Sequence, residues 1–167
     1  MNNIIQSILN TFASWDPNIV IFIISLLPIL ELRGGLIAAT LLGVPYLRAL
    51  MICVIGNIIP IPFILLFINK IFDWLKRFKY PGKFVNWLET KTLKKRKQID
   101  RFGFWGLILF VGIPLPGTGG WTGALLASLL RIPVKKSAVA IAIGIALSAA
   151  IMSIITYLIP WLIRSAG

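Results

Sequence analysis

Two long uncharged apolar runs constrain what this chain can fold into. No charged residue occurs in Met51–Ile68 or in the 22-residue stretch 138–159. About 20 helical residues are needed to cross a hydrocarbon core roughly 30 Å thick. Of the 167 residues, 58% are hydrophobic and only 13% are charged, and a soluble domain of this size exposes too much surface to hide so many apolar side chains. We therefore predict an all-α integral membrane protein with transmembrane helices over 46–69 and 138–159.

Positive charge is concentrated between these two runs. The net charge is +12, and residues 70–101 hold 11 of the 17 Lys and Arg residues with only 3 acidic residues. Such an excess is typical of a cytoplasmic loop that faces anionic lipid headgroups, and it does not require a nucleic acid partner. Aromatic residues recur within the loop and predict amphipathic helices on the membrane surface, and residues 1–16 predict another interfacial helix. The expected location is the plasma membrane, with a multi-pass topology.

The composition also excludes several kinds of chemistry. There is no His, and the one Cys, Cys53, lies inside an apolar run. Zinc sites, disulfides and His- or Cys-based catalysis therefore have no basis in this sequence. We expect no enzymatic activity, no cofactor and no metal. Because no Lys or Arg precedes Arg33, the basic start of a cleaved signal peptide is missing, and the membrane segments are expected to be retained.

Two further apolar segments are broken near their centres. Segment 18–43 is interrupted at Glu31–Gly35, and segment 102–130 is interrupted at Pro114–Gly120. Each arm has about 13 residues, or roughly 20 Å of helix, which is too short to span a bilayer. Either segment is a kinked span or a re-entrant hairpin. The positive-inside rule favours the hairpin, because it returns the basic residues that follow the second segment to the cytoplasmic side; these are Arg131, Lys135 and Lys136.

The two halves of the chain resemble each other. Gly34–Gly35 aligns with Gly119–Gly120, and after a three-residue insertion Pro45 aligns with Pro133. Each half is then a re-entrant hairpin followed by one transmembrane helix, and the cytoplasmic loop between them makes the two repeats inverted. A two-fold axis would bring the two hairpin tips together near the midplane, as in secondary transporters.

The first hairpin tip carries two charges far from any predicted interface, Glu31 and Arg33. A charge at the bilayer centre costs about 2.5–3.5 kcal/mol on insertion scales, so a function is expected for each. One interpretation is an internal Glu–Arg pair that locks the hairpin. In the other, Arg33 binds an anionic group and Glu31 is a protonatable switch, with protons as the coupling ion. Gly34 and Gly35 belong to the same candidate site.

The second hairpin tip is rich in Pro and Gly. A helix that starts near Thr118 would point its positive end at the midplane, where it would favour an anion. The alternative is a purely structural turn. Asn57 lines the same cavity or packs between helices. The candidate site residues from this half of the site are Pro114, Pro116, Gly117, Thr118, Gly119 and Gly120. The exposed basic residues expected to collect lipid headgroups are Arg48, Arg131, Lys135 and Lys136.

These motifs carry a family resemblance. The chain resembles the small multidrug export family, which is grouped with the DedA/VTT membrane proteins, in Glu31-Leu-Arg-Gly34, Gly56-Asn57, Pro60-Ile-Pro62, Pro114-Leu-Pro-Gly-Thr-Gly119 and Thr122-Gly-Ala124. The resemblance implies membrane-embedded re-entrant hairpins and a role in moving lipids or small molecules. Thr118 stands where the DedA proteins commonly have an acidic residue, and their later arginine-rich motif is reduced to Arg131, Lys135 and Lys136.

Three functions follow from this reading. The first is a transporter or flippase for an amphipathic anion, with a lipid phosphate such as a polyprenyl phosphate as substrate. The second is a small multidrug/proton antiporter, and the third is a membrane assembly protein that transports nothing. A homodimer is expected from the small size. The small-residue ladder Ala140, Gly144 and Ser148 offers a contact face for it, or it packs within one chain.

Overall fold

A computed structural model describes residues 15–78, 80, 82–83, 85–87, 90, 96–115 and 117–166. Over these residues the chain is all helical and has no strand, which confirms the predicted class. The predicted interfacial helix over 1–16 lies almost wholly outside them. The helices are α1 Pro17–Leu26, α2 Glu31–Leu41, α3 Tyr46–Ile58, α4 Pro60–Leu75, α5 Arg96–Gly112, α6 Gly120–Leu129, α7 Val134–Ser153, a π-helical turn Ile154–Leu158 and α8 Ile159–Ala166.

Two helical runs in this part of the chain are long and apolar enough to cross a membrane. They are Tyr46–Ile68, with 23 residues, and Val134–Trp161, with 28 residues. The first joins α3 to α4 at Ile59, where Pro60 takes the first position of α4. Proline is tolerated there because the first N–H groups of a helix have no intrahelical partner. Helix α4 continues to Leu75, so part of the predicted surface segment is an extension of the membrane-capable helix.

Helices α1 and α2 form a helical hairpin. Asp16 caps α1 by accepting a hydrogen bond from the backbone N–H of Asn18 at 2.7 Å, and Pro17 follows as expected from the sequence. The two helices lie so close that a Cβ at Gly35 would overlap the side chain of Ser25 on α1. They are therefore side by side and not end to end as in a kinked span. The re-entrant position of this hairpin in a membrane stays a prediction.

Helices α5 and α6 are packed in a related way. A Cβ at Gly123 would overlap Val111 on α5 and lie 3.8 Å from Ile141 on α7. A Cβ at Gly35 would lie 2.7 Å from the sulfur of Cys53 on α3. Gly35 precedes Gly123 by 88 residues and Cys53 precedes Ile141 by 88 residues, so the two contacts correspond. These contacts favour an alignment of Gly35 with Gly123, which differs by three residues from the alignment of Gly34–Gly35 with Gly119–Gly120 and needs no insertion before the prolines at 45 and 133. The internal repeat itself stays a prediction.

The buried side chains form two apolar clusters at successive positions along α7. One joins α4, α5, α6 and α7, and the other joins α1, α2, α3 and the end of α7. The ladder residues Ala140, Gly144 and Ser148 are buried, and Gly144 lies against Val111 of α5. The ladder therefore packs within the chain and is not a free dimer face. Many large apolar side chains point outward, such as Leu41, which is 82% exposed. This distribution fits a lipid environment.

Replacement of Gly144 by Val tests the α5–α7 contact. A Cβ at this position would lie 2.7 Å from Val111 Cβ and 3.0 Å from the Ile108 carbonyl oxygen. Overpacking of this kind costs about 1–3 kcal/mol. We expect Gly144→Val to lower the thermal unfolding midpoint in detergent by several degrees, whereas Ala146→Val on the exposed face of α7 leaves it within about 2 °C. Equal midpoints for the two variants would contradict the close packing.

Candidate functional site

Glu31 joins the two helical hairpins. Its carboxylate oxygens accept hydrogen bonds from the backbone N–H groups of Gly120 at 3.2 Å and Trp121 at 3.1 Å. These are the first residues of α6, so Glu31 caps that helix from a distant part of the sequence and faces the positive end of its dipole. Glu31 is only 4% exposed, and its φ of 50° lies in the left-handed region. A strained backbone at a buried charge is typical of a functional position.

Arg33 binds the chain at the other end of the interruption between α5 and α6, where α5 ends. Its guanidinium donates to the carbonyl oxygens of Leu115 and Ile113, the latter at 3.3 Å, and to Thr118 Oγ1 at 3.1 Å. These acceptors are available because α5 has ended and the last carbonyls of a helix have no intrahelical partner. The two charges of α2 thus hold opposite ends of the interruption between α5 and α6. The tips of the two hairpins meet.

Thr118 and Gly119 shape the interruption itself. Thr118 Oγ1 accepts from the N–H of Leu115 at 3.2 Å and donates to the carbonyl oxygen of Ile113 at 2.8 Å. Gly119 has φ 146° and ψ −170°, a conformation that is essentially restricted to glycine. A Cβ at Gly119 would overlap the carboxylate of Glu31. The glycine therefore lets the chain reverse and also leaves room for the acid.

Three residues of this site carry a buried polar atom that has no hydrogen-bond partner among the described residues. They are Arg33 through Nε, Trp121 through the indole Nε1 and Asn57 through Oδ1. Asn57 is 3% exposed, and its Oδ1 lies 3.3 Å from the position that a Cβ at Gly120 would take. A buried polar group without a partner destabilises a protein by about 1–3 kcal/mol, so a cluster of them calls for an explanation.

Not every residue of the predicted site is part of this contact. Gly34 packs against Leu30 and Ile24 of its own hairpin, and Gly35 lies between α1 and α3. Gly117 is exposed and has φ 79°, Pro114 is partly buried, and Pro116 lies outside the described residues. The basic residues expected at the surface are exposed; they are Arg48, Arg131, Lys135 and Lys136.

Sequence reasoning missed the groups that hold the charges in place. The N–H of Trp121 and the carbonyls of Ile113 and Leu115 are backbone atoms, which every residue type provides, so no side-chain pattern points to them. The aromatic side chain of Trp121 directly after Gly119–Gly120 was the one available signal for this position.

The comparisons with known proteins give one match. A family model described as "Putative small multi-drug export protein" matches residues 31–151. The matched range starts at Glu31 and includes both hairpin tips, Asn57 and the whole α5–α6 pair. No curated protein and no solved structure matches the chain.

Proposed function

The chain belongs to the small multi-drug export protein family, and from that premise we propose that it is a transporter or flippase for an amphipathic anion. We favour a lipid phosphate such as a polyprenyl phosphate as the substrate. The observation that carries this proposal is the cluster of unpartnered buried polar atoms on Arg33, Trp121 and Asn57. Two of the three are N–H donors, and an oxyanion is the natural partner for such a pair.

The N-terminus of α6 already holds an oxyanion. Two adjacent backbone N–H groups, on Gly120 and Trp121, bind the carboxylate of Glu31. Backbone N–H groups at a helix N-terminus bind phosphate by the same chemistry. A phosphate headgroup would take the place of the Glu31 carboxylate beside Arg33, while its apolar tail stays in the bilayer. Protonation of Glu31 would free these donors, which makes protons the expected coupling ion.

The charge distribution supports re-entrant hairpins in an inverted arrangement. Phe72 of α4 and Ile132 of the α6–α7 connection line one common cavity, so these segments adjoin. Lys76 and Arg77, which follow Phe72 by about one helical turn, and Arg131 beside Ile132 therefore lie at one end of the molecule, which we call the basic end. By the positive-inside rule this end is cytoplasmic. The α5–α6 pair enters and returns there, and the α1–α2 pair does so from the opposite side of the plasma membrane.

Reconstituted flux tests the proposal. Labelled polyprenyl phosphate is followed across proteoliposomes that contain wild type, Arg33→Gln or Arg33→Lys. We expect Arg33→Gln to reduce flux at least tenfold, because a hydrogen bond to a charged group contributes about 1.5–3 kcal/mol. Arg33→Lys is expected to be intermediate, since it keeps the charge and loses the planar fork. Arg77→Gln, which removes an exposed positive charge, is the matched control and keeps wild-type flux. Wild-type flux no higher than that of empty liposomes would overturn the proposal.

A multidrug/proton antiporter is the second candidate. The description of the family and the deeply buried carboxylate of Glu31 favour it. In this mechanism Glu31 binds a cationic drug and a proton alternately, and the positive charge of Arg33 opposes the drug. Arg33→Gln would then preserve or increase drug export, whereas it cripples anion transport. A membrane assembly protein would show no flux of either substrate, and both charges would then affect only its abundance.

A further inference from the structure

A second site lies at the basic end, away from the hairpin tips. A cavity of about 330 Å³ opens between the last turns of α4 and the connection from α6 to α7. This volume falls within the usual range for sites that bind small molecules. The cavity is lined by Leu65, Phe72, Asp73, Ser128, Leu129, Arg131, Ile132, Pro133 and Val134. The wall is thus mostly apolar and carries one acidic and one basic side chain.

The backbone at Arg131 is strained. Arg131 has φ 51°, in the left-handed region that disfavours residues with a Cβ. The matching connection from α2 to α3 makes the same turn with Gly43, which has φ 68°. In both turns a backbone N–H bonds back to the carbonyl of the residue five positions earlier, Val44 to Ala39 at 2.9 Å and Ile132 to Ala127 at 3.0 Å. Glycine would suit the second turn equally well, so the turn itself does not require a side chain at position 131.

The cavity adjoins the end of the first membrane-capable run, where lipid headgroups are expected. The first transmembrane run ends at Ile68, and the lining residues Phe72 and Asp73 follow within five residues. Trp74 and Phe78 are about half exposed beside it, with ring centroids 4.8 Å apart. Exposed aromatic side chains next to basic residues are typical of the membrane interface.

Asp73 is available to a ligand. Its carboxylate is exposed and bonded to Lys76 at 3.1 Å on the next turn of the helix. Lys76 bonds Oδ1 of Asp73, and a carboxylate has two oxygens with about four acceptor positions, so an ammonium group of a ligand can bind beside Lys76. Arg131 offers a planar donor set that suits a phosphate. The two charges are therefore complementary to a ligand that combines a phosphate with a primary ammonium.

We propose that this cavity binds the headgroup of an aminophospholipid, with the phosphate on Arg131, the ammonium on Asp73 and the start of the acyl chains against Leu65 and Phe72. The site is separate from the one proposed for transport. The phosphate of an anionic lipid such as phosphatidylglycerol would also bind Arg131, but its neutral glycerol would face Asp73.

Lipid-dependent thermal stability tests this site in the purified full-length protein. Dioleoyl phosphatidylethanolamine, phosphatidylglycerol and phosphatidylcholine are titrated in detergent, together with soluble glycerophosphoethanolamine. At about a hundredfold excess over its Kd, phosphatidylethanolamine is expected to raise the unfolding midpoint by about 5–10 °C. The other two lipids and the soluble headgroup are expected to raise it by less than half of that shift. Equal shifts for the three lipids, or an equal shift with the soluble headgroup, would overturn the proposal.

Arg131→Gly separates binding from folding. This variant relieves the backbone strain, so its midpoint without lipid is expected to equal or exceed that of the wild type. Its phosphatidylethanolamine shift is expected to fall below about 2 °C, and Asp73→Asn is expected to lose the preference over phosphatidylglycerol. Lys83→Gln removes an exposed charge outside the cavity and keeps the full shift. A full shift in Arg131→Gly would overturn the assignment. Because no flux is measured, failure here leaves the proposed transport function intact, and failure of transport leaves this site intact.

Discussion

Glu31→Ala is expected to lower the free energy of unfolding by about 2–4 kcal/mol. The substitution leaves the N–H groups of Gly120 and Trp121 buried without an acceptor, and each unsatisfied group costs about 1–3 kcal/mol. It also removes the negative charge at the positive end of α6, which contributes up to about 2 kcal/mol in partly buried sites. The substitution also removes the desolvation cost of burying the carboxylate, which offsets part of this loss of stability.

The measurement is the unfolding midpoint of purified protein in detergent, followed by tryptophan fluorescence. A loss of 2–4 kcal/mol corresponds to a decrease of roughly 5–15 °C for a chain of this size. Glu31→Gln keeps one acceptor oxygen and is expected to be intermediate. Asp73→Ala removes an exposed carboxylate and serves as the matched control, with a change within about 2 °C. If Glu31→Ala were as stable as Asp73→Ala, Glu31 would not join the two hairpins.

Gly119→Ala is expected to have the largest effect of any single methyl group added to this chain. The φ of 146° at this position is strained for every residue with a Cβ, which costs about 1–3 kcal/mol. The added carbon would also lie 2.6 Å from Cδ of Glu31. It therefore pushes the carboxylate away from its two donors. We expect a decrease in the midpoint of more than 10 °C, or loss of the folded peak in size-exclusion chromatography.

Two other glycines are matched controls for Gly119. A Cβ at Gly106 meets no neighbour within 4 Å and lies in regular helix, so Gly106→Ala is expected to stabilise the protein by up to about 1 kcal/mol. Gly117 also has open surroundings but a φ of 79°, so Gly117→Ala reports strain without the collision. If Gly119→Ala and Gly117→Ala were equally destabilised, strain alone would account for the effect.

The double variant Glu31→Ala/Gly119→Ala measures the collision directly. Truncation of Glu31 removes the carboxylate that the new Cβ would meet, while the strain at residue 119 remains. The second substitution should therefore cost less in the Glu31→Ala background, with a coupling energy of at least about 1 kcal/mol. Strictly additive effects would mean that the two residues do not touch.

Local sequence features predicted much of the helical architecture. The uncharged runs predicted both membrane-capable helices, and Asp16–Pro17 predicted the start of α1. Both features are local, because a helix cap and the length of an uncharged segment each involve residues that are close in sequence. Helix α4 extends past its predicted end to Leu75, since hydrophobicity marks where lipid ends and not where helical hydrogen bonding ends.

The repeat register and the site partners could not be predicted in the same way. The Gly-Gly pairs suggested one alignment, and the contacts of Gly35 and Gly123 favour another. Equivalent glycines are those that contact equivalent helices, and these contacts are not visible in the sequence. Sequence reasoning identified Glu31 and Arg33 as special because charge is rare in apolar segments. It weighed a pair between these two residues, whereas both form hydrogen bonds with the second hairpin.

The sequence by itself determined that this protein is apolar and basic, and it predicted the helical class and identified Glu31 and Arg33 as the charges farthest from the predicted membrane interfaces. Composition and the distribution of charged residues along the chain suffice for this, because the hydrophobic effect and the attraction to lipid headgroups depend on residue type. Only the tertiary structure decided that Glu31 caps α6, that Arg33 holds the end of α5, and that Arg131 and Asp73 line one cavity. These contacts join backbone groups and side chains from distant parts of the chain, and three-dimensional packing alone brings them within hydrogen-bonding distance.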